Sequence, residues 1–255
     1  MPGTTRVVAV IPARYASRRL PAKPLVDLLG KPMVQRVYER VRRARLVDRV
    51  VVATDDRRIA KVVEGFGGEV VMTSSGIKSG SDRVAAVARK IRGDIFVNVQ
   101  GDEPLMAPKM IDQAVQLLLD DPQAGLGTLA KKIESAVDLK NPAVVKVVFD
   151  KKKTALYFSR SVIPHVRDEL NVGKWLSRQS FYKHIGIYVF RRKFLATYSR
   201  LPESALERSE RLEQLRVLEN GYSIKVGTTR FDSIPIDTPA DVRKVRALIR
   251  RMERK

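Results

Sequence analysis

The chain has no cysteine, two histidines and a single tryptophan. Without a thiol there is no disulfide framework, thiolate nucleophile, zinc finger or cysteine-ligated iron–sulfur cluster. Long hydrophobic runs are missing as well. The opening stretch, Met1 to Tyr15, holds one short apolar run, Val7 to Ile11, which Pro12 cuts off. A secretory h-region needs about 7 to 15 apolar residues and a membrane span about 20. The expectation is a cytoplasmic protein with no signal peptide and no membrane insertion. Acidic residues are the scarcer charge, 28 against 49 Lys and Arg, for a net +21 over 255 residues. With 44% hydrophobic residues against 30% charged, the composition is that of a soluble globular chain rather than a disordered one. Such a length buries roughly 70 to 75% of the surface that the unfolded chain exposes, so no metal or covalent staple is required.

The positive charge gathers on two stretches, Arg36 to Arg49 and Arg243 to Lys255. Apolar residues keep helical spacing in both: Met33, Val37, Tyr38, Val41 and Ala44 in the first, and Val242, Val245, Leu248, Ile249 and Met252 in the second. The basic residues are what remains for the outer faces. A chain this basic attracts nucleic acid non-specifically at low salt. No helix-turn-helix pattern, aromatic RNA-binding strand or zinc finger accompanies the charge, so it reads as solvated surface.

Strand and helix alternate through the first half. Expected strands are Arg6 to Ile11, Arg49 to Thr54, Glu69 to Thr73 and Ile95 to Val99. Expected helices open at Pro32 and cover Arg57 to Phe66, Ser81 to Ile91 and Pro108 to Leu119, with Gly67 a stop. This order predicts an α/β fold with a doubly wound, mostly parallel, Rossmann-like sheet. The second half is richer in strand: Leu126 to Ile133, Val144 to Asp150, Thr154 to Ser159 (after a turn at Lys151 to Lys153), Tyr182 to Phe190 and Tyr222 to Thr228. Ser204 and Glu207 form a capping box for one helix that carries Leu212, Leu215 and Leu218 to Gly221. Thr238, Pro239 and Asp241 open a C-terminal helix. The aperiodic segment Ser161 to Phe181, with Trp175 and Leu176 read as exposed, suggests an arm at about 150–190 within a single domain. It either packs on a second subunit or closes as a lid.

Two loops carry chemistry. After the first strand, Arg14, Arg18, Arg19 and Lys23 fall within ten positions. Ligands of open α/β sheets collect outside the carboxyl ends of strands. The loop lacks the glycine patterns of ATPase and dinucleotide folds, so a phosphate here would be held by cations and backbone N–H groups; the alternative is an ordinary basic surface loop. Directly after the strand Ile95 to Val99 comes Gln100-Gly-Asp-Glu-Pro104. Asp102 there is either a Mg²⁺ ligand or a turn-forming acid. Asp237, in Ile236-Asp-Thr-Pro239, is a further acid at a strand-to-helix junction.

Eight blocks then occur in order: Ile11-Pro-Ala-Arg-Tyr-Ala-Ser-Arg-Arg-Leu-Pro-Ala-Lys-Pro-Leu25, Gly30-Lys-Pro-Met33, Ser79-Gly-Ser-Asp-Arg83, Val97-Asn-Val-Gln-Gly-Asp-Glu-Pro104, Ala155-Leu-Tyr-Phe-Ser-Arg160, His184-Ile-Gly-Ile-Tyr188, Leu212-Glu-Gln-Leu-Arg216 and Asp237-Thr-Pro239. Together they resemble the 3-deoxy-manno-octulosonate cytidylyltransferases over nearly the whole chain. The resemblance implies a fold of the nucleotide-diphospho-sugar transferase type and a homodimer. It also implies transfer of CMP from CTP to 3-deoxy-D-manno-octulosonate (KDO) with Mg²⁺, feeding lipopolysaccharide synthesis. Arg14, Ser17, Arg19 and Lys23 are then expected at the CTP phosphates and ribose, with Ser79, Arg83 and Gln100 around the cytidine. Arg14, Arg19, Lys23 and Asp102 carry the transfer, and Asp102 and Asp237 hold the metal. Arg160 is expected at the KDO carboxylate, and His184, Tyr188, Glu213 and Gln214 around its hydroxyls. Two positions depart from the family pattern. Ile77 stands where many members carry His, which removes a polar contact, and Pro235 where Gly is common, which fixes φ ahead of Asp237. Neighbouring alternatives are an enzyme for sialic acid or an amino derivative of KDO, and a basic nucleic-acid-binding protein on a retired scaffold.

Overall fold

The computed structural model describes residues 5–16, 20–77 and 79–253. Strands are β1 (Val7–Ala13), β2 (Arg49–Thr54), β3 (Glu69–Met72), β4 (Ile95–Asn98), β5 (Leu126–Lys132), β6 (Lys146–Phe149), β7 (Ala155–Ser159), β8 (Tyr182–Arg191) and β9 (Lys225–Thr229). Helices are α1 (Met33–Val41), α2 (Arg57–Gly65), α3 (Gly80–Lys90), α4 (Pro108–Asp120), α5 (Ala136–Lys140), α6 (Trp175–Arg178), α7 (Arg192–Tyr198), α8 (Ala205–Glu210), α9 (Leu215–Glu219) and α10 (Pro239–Glu253). Among the described residues no helix is long and apolar enough to cross a membrane. The single domain expected from the sequence divides into two compact units, residues 1–112 with 233–255, and residues 113–232. The segment at about 150–190 lies inside the second.

In the first unit the strands run β3-β2-β1-β4, all parallel, which is the α/β arrangement expected. Val7 to Ile11 and Val50 to Ala53 are buried, as β-branched runs covered on both faces should be. Met33, Val34, Val37, Tyr38 and Val41 bury one face of α1, and Val242, Val245 and Ile249 one face of α10. The first basic stretch is less helical than its periodicity suggests, because α1 ends at Val41 and the chain turns before β2. Gly67 stops α2 at φ 75°, a conformation that suits a residue without Cβ.

In the second unit β5 pairs antiparallel with β8 and parallel with β9, and β6 and β7 form the expected hairpin. Three expectations need correction. The helix expected from Ser204 to Gly221 is two helices, α8 and α9, because Arg211 adopts a left-handed conformation, φ 54°. The last strand begins at Lys225 rather than Tyr222. Trp175 is not exposed. It is 5% accessible, packed with Ile133, Leu139 and Phe181, and its indole N–H donates to the Glu169 carbonyl at 2.6 Å. Leu176 is partly buried against the same cluster.

Candidate active site

In the first unit, the carboxyl ends of β1 and β4 gather the charged residues. After β1 the chain passes through Ala22, whose left-handed φ of 52° turns it into a short 3-10 helix, Lys23–Leu25. The Lys23 ammonium donates to Asp102 Oδ2 at 2.6 Å and to Asp237 Oδ1 at 2.9 Å. A Cβ on Gly101 would lie 2.5 Å from the Pro12 carbonyl oxygen, so only glycine allows the loop after β4 to approach β1 this closely and place Asp102. The Ile236 N–H donates to the Asp102 carbonyl at 2.9 Å, which joins that loop to the segment before α10. Asp237 therefore reaches the site despite Pro235. Asp241 accepts from the Thr238 hydroxyl and from the Thr238 and Asp237 N–H groups at 2.8 to 3.1 Å. These bonds, the hydroxyl above all, hold its carboxyl below the usual range.

Arg14 donates to the Ile77 carbonyl, tying the loop after β1 to the loop before α3. Burial, and next the nearby Arg83, lower its pKa. The backbone at Ile77 thus makes a polar contact where the side chain offers none. Ser79 caps α3: its Oγ accepts from Asp82 N at 3.0 Å and donates to Asp82 Oδ2 at 2.7 Å. Arg83 is fully buried, donating to the Thr73 hydroxyl and pairing with Asp55 at 3.3 Å. Its partners hold it inside the unit, and its Nε has no partner among the described residues. Gln100 lies just past β4. Ser17 and Arg19 lie outside the described residues.

The residues expected at the sugar acid all lie in the second unit. Arg160 follows β7 and is fixed by Nε donating to the Glu210 carbonyl at 2.7 Å and Nη1 to the Pro142 carbonyl at 3.1 Å. Glu210 also accepts from Ser159 Oγ at 2.6 Å and Arg160 N at 2.9 Å. The break between α8 and α9 carries Glu213 and Gln214. A bidentate pair from Arg216 to Glu207, at 2.5 and 2.7 Å, braces the two helices. Tyr188 donates to Gln214 Oε1 at 2.8 Å, Tyr198 to Glu213 Oε2 at 3.4 Å, and the His184 ring lies 5.3 Å from that of Tyr188. Burial drives the His184 pKa down to about 3 and raises that of Tyr188 well above its ordinary value.

Three residues here escaped sequence reasoning. Glu210 carries the anchor of Arg160. Thr128 is fully buried, with its hydroxyl 2.9 Å from His184 Nε2. Lys146 is also fully buried and donates to the carbonyls of Asn141, Val144 and Arg160 at 2.7 to 3.0 Å. Only Lys146 left a signal, a lone cation inside the apolar run Ala143 to Phe149.

Comparison with known proteins gives the family and the fold. A family model described as cytidylyltransferase matches residues 8–225. Curated relatives named 3-deoxy-manno-octulosonate cytidylyltransferase include one from Geobacter metallireducens, 52% identical and covering 94% of this chain and 96% of its own. A second, from Geobacter sulfurreducens, is 53% identical over 94% and 97%. A solved structure described as CMP:2-keto-3-deoxy-manno-octonic acid synthetase complexed with CTP superposes at a TM-score of 0.91. It is 44% identical and covers 97% of this chain and 100% of its own. A 4-diphosphocytidyl-2C-methyl-D-erythritol synthase from Anaerococcus prevotii, 13% identical with a TM-score of 0.62 over 96% of this chain and 99% of its own, shares the fold. With half its residues shared over nearly the full length of such relatives, the chain belongs to the 3-deoxy-manno-octulosonate cytidylyltransferase family.

Proposed function

We propose that the chain transfers CMP from CTP to KDO and releases pyrophosphate, with Mg²⁺, as a cytoplasmic homodimer serving lipopolysaccharide synthesis. The observation that carries the site assignment is the convergence of Lys23, Asp102 and Asp237 at the carboxyl ends of β1 and β4. Among the described residues no group of three or more metal-ligating side chains exists. Two carboxylates suffice for Mg²⁺, which commonly takes one or two protein acids and completes its oxygen shell with substrate phosphates and water. Asp102 and Asp237 would hold it, and when bound it would neutralise phosphate charge and lower the pKa of the attacking hydroxyl.

The protein's own part is positioning and charge. The anomeric oxygen of KDO bonds to the α-phosphorus, the bond from that phosphorus to the bridging oxygen breaks, and its electron pair leaves with pyrophosphate while the hydroxyl proton passes to solvent. Such a transfer asks chiefly for alignment and cationic stabilisation. Arg14 and Lys23 supply cations to the triphosphate. Arg160, with Nε and Nη1 already committed, retains Nη2 for the sugar carboxylate. With Trp175 buried, the most exposed large apolar side chains of the second unit, Val137, Leu156 and Leu170, are available to a second copy. Sedimentation is expected to show a dimer, and a monomer at working concentration removes that part of the reading.

Incubation with CTP, Mg²⁺ and, separately, KDO, its amino derivative or sialic acid is expected to release pyrophosphate with KDO. In Asp102→Asn, release is expected to fall by about 100-fold or more. Near-normal turnover of that variant would overturn the metal assignment. Failure with KDO but release with another acid would reassign the substrate.

A further inference from the structure

In the second unit β5 and β8 lose register at one point. Thr128 lies opposite Tyr188, but the next residue, Leu129, lies opposite Ile185. This β-bulge leaves Gly186 and Ile187 over on β8 and re-aims nearby groups. The Thr128 hydroxyl donates to the Ile187 carbonyl at 2.7 Å, with the Ile185 carbonyl further away at 3.2 Å. A hydroxyl has one proton, and carbonyls only accept. The third contact of the same oxygen, with His184 Nε2 at 2.9 Å, is therefore one in which Thr128 accepts and Nε2 carries the hydrogen. A neutral imidazole protonated at Nε2 has a bare lone pair on Nδ1. Nδ1 makes no hydrogen bond among the described residues.

The surroundings fit a reader of hydroxyl groups. The ring meets Phe158 edge-on at 5.1 Å and Tyr188 at 5.3 Å, so uncharged groups flank it. Tyr188 donates to Gln214 Oε1, and the buried Gln214 Nε2 has no hydrogen-bond partner among the described residues. One free acceptor, His184 Nδ1, and one free donor, Gln214 Nε2, are what a polyhydroxylated ligand needs. A buried polar atom without a partner is costly, so Gln214 Nε2 points to something that binds it.

We propose that Thr128 is a positioning residue that fixes His184 as the Nε2–H tautomer, so that Nδ1 accepts a hydrogen bond from a hydroxyl of the sugar acid rather than taking the proton of the transfer. The second half of this rests on the placement of KDO in this unit. Burial, which drives the imidazole pKa down to about 3, makes it a poor base and keeps it neutral during turnover.

The chain has two histidines, so the ring nitrogens of ¹⁵N-labelled protein are assigned by comparison with a His165→Gln variant. The expected spectrum shows His184 protonated at Nε2 and bare at Nδ1, and added KDO moves the Nδ1 resonance. In Thr128→Val the tautomers mix and KM for KDO rises about tenfold, the scale of one hydrogen bond, while KM for CTP stays within about twofold. Thr128→Ser, which keeps the hydroxyl, retains the spectrum and both constants. A proton on Nδ1 in the unaltered protein overturns the proposal. So does Thr128→Val raising both KM values equally or neither. Should Thr128→Val fail to fold, the unaltered spectrum and Thr128→Ser decide. Absence of KDO-dependent pyrophosphate release from the unaltered protein would sink the functional reading, while the nitrogen spectrum would still decide the tautomer.

Discussion

The two units hold their charged and polar candidate residues in opposite surroundings. In the first, the decisive groups are full charges at strand ends where water still reaches: Lys23 is 13% accessible, Asp102 31% and Asp237 33%. Ions there pay little for desolvation, and they stay free to exchange partners with a charged ligand. In the second, the groups around the sugar-acid residues are withdrawn from water. Thr128 and Lys146 are fully buried, and Gln214, Glu207 and Arg216 nearly so. Burial at that depth demands that each polar atom have a partner, so this unit depends on networks rather than single contacts. On the proposed function, a phosphate-bearing ligand would be met by charge, and a polyhydroxylated one by fixed, oriented hydrogen-bond donors and acceptors.

The contrast is broken most directly at Lys146. Lys146→Met removes the ammonium donor shared by three partly buried carbonyls. It is expected to cost about 2 to 4 kcal/mol in urea unfolding and, because the Arg160 carbonyl is released, to raise KM for KDO more than KM for CTP. A cost within about 0.5 kcal/mol would mean that the network is not cooperative.

Acid sharpens it further. On folding, the His184 pKa drops from 6.5 to about 3 because the ring is buried. The unfolded chain therefore binds the proton first. The contribution is fully present above pH 6.5 and is lost progressively as pH falls toward 3. Unfolding followed over this window should show a shallower pH slope in His184→Asn than in the unaltered protein. Parallel slopes would place the ring in water.

A smaller effect belongs to the first unit. Ala22 holds φ 52°, ψ 30° immediately before Lys23. Ala22→Gly relieves the Cβ clash of that conformation at the expense of a looser unfolded chain. The net expectation is a gain of up to about 1 kcal/mol by thermal unfolding, with Lys23 still placed. Destabilisation by more than that would show that the loop uses the methyl group for packing.

Much of the first unit is readable in the sequence because its signals are local. A β-branched run marks β2 to the residue, Gly67 stops α2, and the acids of two short motifs meet at one ammonium. The second unit hides more. Leu212, Leu215 and Leu218 continue a helical period through Arg211, and no glycine or proline announces the break there. What accompanies the break is long-range: the pair between Glu207 and Arg216, and Glu210 bound to Ser159 and Arg160. Likewise, nothing near Thr128 in the sequence distinguishes it from any strand threonine, since the bulge that commits its proton arises on β8. The burial of Trp175 depends on Ile133 and Leu139, more than thirty residues upstream, and no local periodicity encodes that.

The same indole has a practical consequence. As the only tryptophan of the chain, enclosed with Ile133, Leu139 and Phe181 and bonded to the Glu169 carbonyl, it makes intrinsic fluorescence a reporter of one corner of one unit. A change in its emission registers loosening around that cluster. Melting confined to the parallel sheet would pass unseen in that signal and needs circular dichroism beside it.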